Sequence, residues 1–453
     1  RAMGWLACTG CVLALLVLTS TSTPCLSRAR GVPRAQVSLA AKKAGKPAAR
    51  GKGFGVPASG ALALRQPELL AGYETLYAWL DAGGATRRVT IADFDGLRGV
   101  VATEPIAKGE AVISVPSALA IDLGVEGSDP LPAARAFLRL WRTLQSAQAR
   151  GPGEPCSAAE EGALRISPFL KAIPPIGSPD LSTPDFFTPE ELAELQWPPI
   201  EAEVAAVAQS LRAAADEARA DEADWTGGLN SLEQILKQLD SGSETHRNTN
   251  TEQPLSRRES GNSLLEQLTW ARWVVLSRVL TVQDVQLPLS GSLAVSRPAR
   301  KLLIPLVDMC NHHLSKWNGI PSGRVGSSLK IIAARDIEQG EQVFIQYGAG
   351  QLSNDRLLAE YGFVDGSSQA LELDVVMLAR ALRAARPLGA SSAEGLPPLP
   401  THALGRTTLA VDERLLADIT NCPPSSRLAA AVRFRAILKR AMADLLRRQV
   451  AAR

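Results

Sequence analysis

Apolar and polar positions change their period several times along the chain. From Pro67 to Leu80 the residues Leu69, Leu70, Tyr73, Leu76, Tyr77 and Leu80 recur at helical spacing, and Gly83-Gly84 ends the run, which predicts a helix. Residues 89–121 switch to VTIADF, GVVAT and AVISVP, three short strand-like stretches separated by turns that carry glycine. Residues 131–240 return to helical spacing, with a proline-rich break at 168–189. The stretch 240–262, DSGSETHRNTNTEQPLSRRESGN, holds hardly any apolar side chains, so burial there cannot offset the entropy of ordering; a disordered loop is expected. Helical spacing resumes with Leu264, Leu265, Leu268, Trp270 and Trp273, strand and turn signals fill 301–348, and 369–453 reads as Ala-, Leu- and Arg-rich helix. No internal repeat is visible.

The 453 residues suffice for about two or three domains, and with 45% apolar and 21% charged residues they have the composition of an ordinary soluble protein. The net charge of +3 gains meaning only when divided along the chain. The first acidic residue is Glu68, whereas Arg1, Arg28, Arg30, Arg34, Lys42, Lys43, Lys46, Arg50, Lys52 and Arg65 all precede it. The remainder is mildly acidic, so no nucleic-acid partner is expected. Trp5–Thr19 (WLACTGCVLALLVLT) is short for a membrane span and suits a signal-peptide core. The following RARGVPRAQVSLAAKKAGKPAARGKG looks like a transit peptide. Together they predict a two-part leader for a plastid, with a membrane anchor or simple secretion as alternatives. Once the leader is removed, no stable membrane association is expected, and the protein is expected to be a monomer. Cys156, Cys310 and Cys422 lie far apart and histidines number four, so no structural zinc site is expected.

Four segments carry candidate chemistry. In DGLRGVVATEPIAKGEAVISVP (95–116), Gly96 and Gly99 flank Leu97 and Arg98 in a tight strand-edge turn, where backbone can approach a ligand closely; most such glycines only turn the chain. In WARWVVLSRVL (270–280), Arg278 puts a guanidinium on an apolar helix, where burial requires an anionic partner; reaching out to the surface is the alternative. In LLIPLVDMCNHH (302–313), an apolar run delivers Asp308, Asn311, His312 and His313 into one turn. Adjacent histidines rarely converge on one metal and no further ligand cluster exists, so no metal is expected. In KIIAARDIEQGEQVFIQYGAGQLSNDRLLAEYGFV (330–364), a strand, a turn at Gln339-Gly340, a second strand ending at Tyr347-Gly348 and a helix ending at Tyr361-Gly362-Phe363 follow in order.

Taken in order, these segments resemble the SET domain, specifically the subfamily of the Rubisco large-subunit lysine methyltransferase and the actin-histidine methyltransferase. The resemblance spans about residues 90–365. The cysteine-rich zinc module that follows many SET domains is missing, as in that subfamily. The resemblance implies an α+β fold: a SET-domain β-fold of short strands, a helical insert and a C-terminal all-helical substrate-binding domain. The expected division is a leader at 1–66, the first part of the SET domain at 67–122, the insert at 123–265, the second part at 266–365, and the helical domain at 366–453.

It further implies S-adenosylmethionine as cofactor and a protein as substrate. Gly96, Leu97, Arg98 and Gly99 would contact the cofactor through backbone, Arg98 standing where an apolar residue is common. Arg278 would pair with the cofactor's carboxylate, and Asn311 and His312 would bind it near the adenine. Tyr347 would place its hydroxyl beside the transferred methyl as the catalytic residue; Tyr347, Tyr361 and Phe363 would line the channel for the substrate nitrogen, with the adenine-side wall as the alternative place for Tyr361 and Phe363. Asp308 is expected to be a structural hydrogen-bonding residue. The implied reaction is direct displacement onto a lysine of a non-histone protein. A protein-histidine N-methyltransferase and a catalytically silent SET-fold binding module are the alternatives. Retention of Arg278, Asn311, His312 and Tyr347 together argues against the silent one.

Overall fold

The computed structural model describes residues 68–94, 96–151, 154–220, 263–286, 295–384, 404–418 and 426–451; the expected leader at 1–66 and the expected loop at 240–262 lie outside them. The described residues begin with β1 (Glu68–Leu69), α1 (Glu74–Ala82), β2 (Thr86–Arg87), β3 (Val89–Phe94), β4 (Leu97–Ala102), β5 (Ala111–Val115) and β6 (Ile121–Val125). The insert supplies α2 (Leu131–Ala149), α3 (Ala158–Arg165), α4 (Ser167–Leu170), α5 (Pro189–Leu195) and α6 (Pro198–Ala220). Then come α7 (Leu264–Arg278), β7 (Val279–Gln286), β8 (Val295–Leu303), β9 (Asn311–His312), β10 (Gly319–Ser322), β11 (Leu329–Ala333) and β12 (Phe344–Ile345). The helices α8 (Asn354–Tyr361), α9 (Ser368–Ala384), α10 (Leu409–Asp418) and α11 (Arg427–Ala451) close the described chain.

The strands form small sheets ordered β1-β3-β4, β10-β11-β5-β2, β6-β8-β7 and β12-β9. Every pairing is antiparallel except β12 with β9, which run parallel with Phe344 opposite Asn311 and Ile345 opposite His312. The three strand-like stretches expected in 89–121 are β3, β4 and β5. β3 and β4 make a hairpin in register from Val89 opposite Ala102 to Phe94 opposite Leu97. Its reversal needs the left-handed backbone of Gly96, φ 86°.

Two local expectations are corrected. Leu69 is not helical: it pairs with Ala92 in β1, and Gly72 at φ 92° separates that strand from α1, which starts at Glu74. The apolar run 270–280 is not one helix either, because α7 ends at Arg278 and β7 begins at Val279. The β-branched residues of VLTVQDVQ favour extended backbone and pair with β8. At its other end α7 carries the sequence signature of a start: Ser263 accepts from the Glu266 amide, and Glu266 returns a bond from the Ser263 amide.

One large apolar cluster joins the strands to α1, α2 and α7, with Ile91, Ile113, Phe137, Trp270 and Ile331 fully enclosed. A second joins α5 and the start of α6 to the C-terminal helices: Leu195, Trp197 and Ile200 pack with Leu358, Leu378, Phe434 and Leu438. The insert therefore shares a core with the C-terminal helices as well as with the strands. Among the described residues no helix is long and apolar enough to cross a membrane.

Charge is buried in the C-terminal helices, and it is paired. Asp412 is fully enclosed and accepts from Arg435 Nε at 2.9 Å and Lys439 Nζ at 2.5 Å, while Arg435 also pairs with Glu194 of α5. Removing one member of such a group strands the others in a site without water. Asp412→Ala is expected to destabilise this unit by about 3–5 kcal/mol, read as a fall in the denaturant midpoint of its unfolding transition.

Candidate functional site

The parallel pair β9–β12 builds the centre of the site. It lays the Asn311-His312 turn beside the segment that ends in Tyr347, and three bonds fix the result. The Tyr347 amide donates to His312 Nδ1 at 2.9 Å, and the Tyr347 hydroxyl donates to the Cys310 carbonyl at 2.8 Å. Asn311 Nδ2 donates to the Arg98 carbonyl at 2.9 Å, tying β9 to β4. That last contact explains Gly99. A Cβ there would sit 2.7 Å from Asn311 Nδ2 and 2.5 Å from Gln342 Nε2; the expected turn at 96–99 is instead the start of β4 from Leu97 on, and the groups close to Gly99 are the protein's own rather than a ligand's. Gly96 and Leu97 lie at the hairpin tip; the Gly96 amide is engaged by Asp93 Oδ1 at 2.8 Å, and Leu97 is exposed.

Aromatic rings close one side. Tyr347 and Tyr361 approach to 4.5 Å between centroids, His312 lies 5.1 Å from Tyr347 and 5.9 Å from Phe363, and Tyr361 and Phe363 are 6.3 Å apart. The three residues expected to line a channel are thus brought together, with His312 as a fourth ring. Tyr361 ends α8, and Phe363 follows the left-handed Gly362, φ 80°. A Cβ on Gly362 would collide with Ser182 of the proline-rich insert segment, 2.6 Å from its carbonyl carbon.

Arg278 enters at the end of α7, nearly enclosed, with its guanidinium 5.2 Å from the Trp273 ring centroid. Its Nη1 reaches the Asp308 carboxylate and carbonyl, both at 3.3 Å. The anionic partner that burial demands is therefore Asp308, and a ligand is not needed to explain why this arginine is inside. Asp308 holds the structural role expected of it. The Arg98 side chain turns away to the insert, donating to the Ala172 carbonyl at 2.7 Å and the Tyr73 hydroxyl at 3.1 Å. Sequence reasoning missed Gln342 and Trp273; a glutamine inside the apolar strand text EQVFIQ was the available signal.

Protonation follows from burial. His312 is pushed down to about 4 by burial, so it is neutral at physiological pH. Because its Nδ1 accepts, the proton resides on Nε2. The Tyr347 hydroxyl is pushed up, first by burial, and stays a phenol; burial likewise pushes up the Cys310 thiol. Burial also raises Asp308, against the lowering effect of Arg278.

Several polar atoms here are buried without a partner: Arg278 Nε, Asp308 Oδ1, His312 Nε2, Gln342 Nε2 and Trp273 Nε1. Native proteins leave few such atoms, so a group of them on the segments that converge marks a place for a polar ligand. Among the described residues no group of three or more His, Cys, Asp and Glu could hold a metal ion.

The family model described as the SET domain matches residues 97–348. Ribosomal lysine N-methyltransferase 4 of Saccharomyces cerevisiae is 38% identical over 78 residues, a stretch covering 17% of this chain and 15% of that protein. A structure of Rubisco LSMT bound to AdoMet is 16% identical with a TM-score of 0.49, covering 83% of this chain and 91% of that one. The SET domain of LSMT bound to MeLysine and AdoHcy gives 16% and 0.47, with coverage of 83% and 91%.

The histidine makes a direct prediction. Unfolded, it titrates near 6.5; folded, it binds its proton only near 4. Between those values the unfolded chain holds more protons, so stability falls as pH falls from about 6.5 to about 4 and this contribution levels off below. NMR titration of the folded protein should find His312 Nε2-protonated and neutral throughout pH 6–8. A His312 midpoint above about 6 would contradict the burial seen here.

Proposed function

The chain belongs to the SET-domain family, and on that premise we propose that it is a protein-lysine N-methyltransferase using S-adenosylmethionine. The observation that carries this reading is the meeting of the Tyr347 hydroxyl, the rings of His312, Tyr361 and Phe363, and the unpartnered buried atoms of Arg278, His312 and Gln342. Those atoms suit a zwitterionic, nitrogen-rich cofactor. Arg278 Nε is a charged donor able to take a carboxylate, and His312 Nε2–H and Gln342 Nε2–H are neutral donors. The bound cofactor would supply a sulfonium-activated methyl that needs no further activation.

What remains for the protein is positioning and the state of the nucleophile. The Tyr347 hydroxyl spends its proton on the Cys310 carbonyl, which turns its oxygen lone pairs toward whatever lies opposite. That oxygen can accept from a polarised C–H or from the attacking amine. Because burial holds Tyr347 in its phenol form, it is no general base at neutral pH, and the neutral His312 has its acceptor nitrogen committed to the Tyr347 amide. A lysine entering between the rings leaves water, which disfavours the ammonium and helps it release its proton to solvent before attack.

The acid-free basic stretch before Glu68 supports delivery to a plastid and a non-histone target there. A plastid extract is therefore the first target pool to test. Methyl-labelled S-adenosylmethionine with that extract should label one or a few proteins, and hydrolysis should release methyl-lysine. Tyr347→Phe loses one hydrogen bond and one weak C–H···O contact, about 1–2 kcal/mol together, and should slow transfer roughly 5- to 30-fold. Equal labelling by both proteins would remove Tyr347 from the reaction, and methyl-histidine in the hydrolysate would replace lysine as the acceptor. With substrate below saturation, the rate should rise about tenfold per pH unit from 7 to 9, because the acceptor's reference pKa is about 10.4. A flat profile with chemistry rate-limiting would contradict proton release ahead of attack.

A further inference from the structure

The wall of the aromatic channel is held from the C-terminal helices by one buried carboxylate. Asp374 lies in α9 and Asn354 opens α8; both are fully enclosed. Asp374 Oδ1 accepts from the Asn354 amide at 2.7 Å, and Oδ2 accepts from Asn354 Nδ2 at 2.7 Å. The same Asn354 side chain then closes a ring onto the chain leaving the helix. Its Oδ1 accepts from the Asp365 amide at 2.6 Å, and its Nδ2 donates to the Asp365 carbonyl at 2.9 Å. Between the two ends of that ring lie Tyr361, Gly362 and Phe363.

The alternation inside this short stretch is informative. Tyr361 and Phe363 face the site rings, Gly362 sits against Ser182, and Val364 packs into the C-terminal apolar cluster. A shift of the segment by one residue would exchange the Phe363 ring for Val364. Apolar packing alone is weakly directional and does not forbid such slips. Four directed hydrogen bonds through one asparagine do, provided its own orientation is fixed, and Asp374 is what fixes it.

Resting on the methyltransferase reading, we propose that Asp374, acting through Asn354, is a positioning residue for the substrate channel, so that the C-terminal helical unit sets the width of the site. It touches neither substrate nor cofactor. Channel width governs how many methyl groups a bound amine can carry. Loosening this clamp should therefore change which product forms as well as how fast.

The test uses the full chain and two variants. Asp374→Ala should lower kcat at least tenfold, leave the cofactor Kd within about twofold, and spread the product over more methylation states than the wild type gives. Asp374→Asn keeps one carbonyl acceptor of the same size and should recover at least a third of the wild-type kcat with a narrower product spread. Asp412→Ala loosens the same helical unit away from this node and should leave kcat per folded molecule unchanged. Hydrogen exchange without substrate should show the Asp365 amide and its neighbours opening at least tenfold faster in Asp374→Ala, or in Asp374→Asn if the alanine variant does not fold. Wild-type kcat and product spread in both Asp374 variants would overturn the proposal. So would unchanged exchange at Asp365, or an equal loss in Asp412→Ala. Should the wild-type protein transfer no methyl group, the methyltransferase reading falls and the exchange result alone decides whether Asp374 holds this segment.

Discussion

The site depends on two residues of one strand lying parallel to two of another. Phe344 opposite Asn311 and Ile345 opposite His312 is a very short ladder, weak by the ordinary measure of a sheet. It persists because side chains on both strands continue the pairing where the backbone stops: the Tyr347 amide to His312, the Tyr347 hydroxyl to Cys310, and Asn311 to Arg98. Asn318 adds to this by taking the Phe344 amide at 2.8 Å and donating to the Gln342 carbonyl at 2.9 Å. Parallel strands need a long crossover, and here the β10–β11 hairpin and the turn after it provide it. Residues 311 and 347 become neighbours only through that path, which is why the chemistry is divided between two motifs far apart in sequence.

Burial then decides the charge state of everything the ladder gathers. Arg278 is paired with Asp308, with the Arg98 guanidinium acting on both, while His312 and Tyr347 beside them are neutral. The backbone also carries strain where it enters and leaves this region. Leu306 has φ 65° just before Asp308, and Ala349 has φ 55° just after Tyr347. Non-glycine residues seldom hold such angles unless surrounding structure imposes them, and both flank the segments that meet.

Much of this was legible in the sequence. The β3–β5 strands, the start of α7 and the gathering of Asn311, His312, Tyr347, Tyr361 and Phe363 follow from short-range patterns or from motifs whose context travels with them. Other features were not legible, for identifiable reasons. VLTVQDVQ continues the apolar text of α7 without a break, so periodicity alone could not separate helix from strand at Val279. The sequence left Arg278 open between burial and the surface; it is buried, and its partner Asp308 is thirty residues away, where no local pattern identifies it. Gly99 was expected in a turn approached by a ligand; it lies in β4 opposite Ala92, and what approaches is Asn311 and Gln342, a tertiary fact. The reach of the insert into the C-terminal core was invisible because Trp197 and Ile200 look like ordinary helix-face residues.

The proline-rich segment of the insert carries the last step. Between Ala172 and Asp185 it grips three site-bearing elements at four points: Ala172 takes the Arg98 side chain, Pro174 takes the Trp270 indole at 2.9 Å, Ser182 abuts Gly362, and Asp185 pairs with buried Arg272. Each of those partners is adjacent to a site segment: β4, α7 twice, and the turn between Tyr361 and Phe363. Proline fixes φ and leaves a carbonyl without adding a donor, so such a segment can cross several elements as a stiff belt of acceptors. The direction of the bonds agrees, since Arg98 and Trp270 donate and the belt accepts. A helix could not do this, because its carbonyls are already used within it. The interruption in the helical pattern at 168–189 is thus where the insert leaves its own packing to grip the site, holding β4, α7 and the turn that carries Tyr361 and Phe363 at fixed spacing.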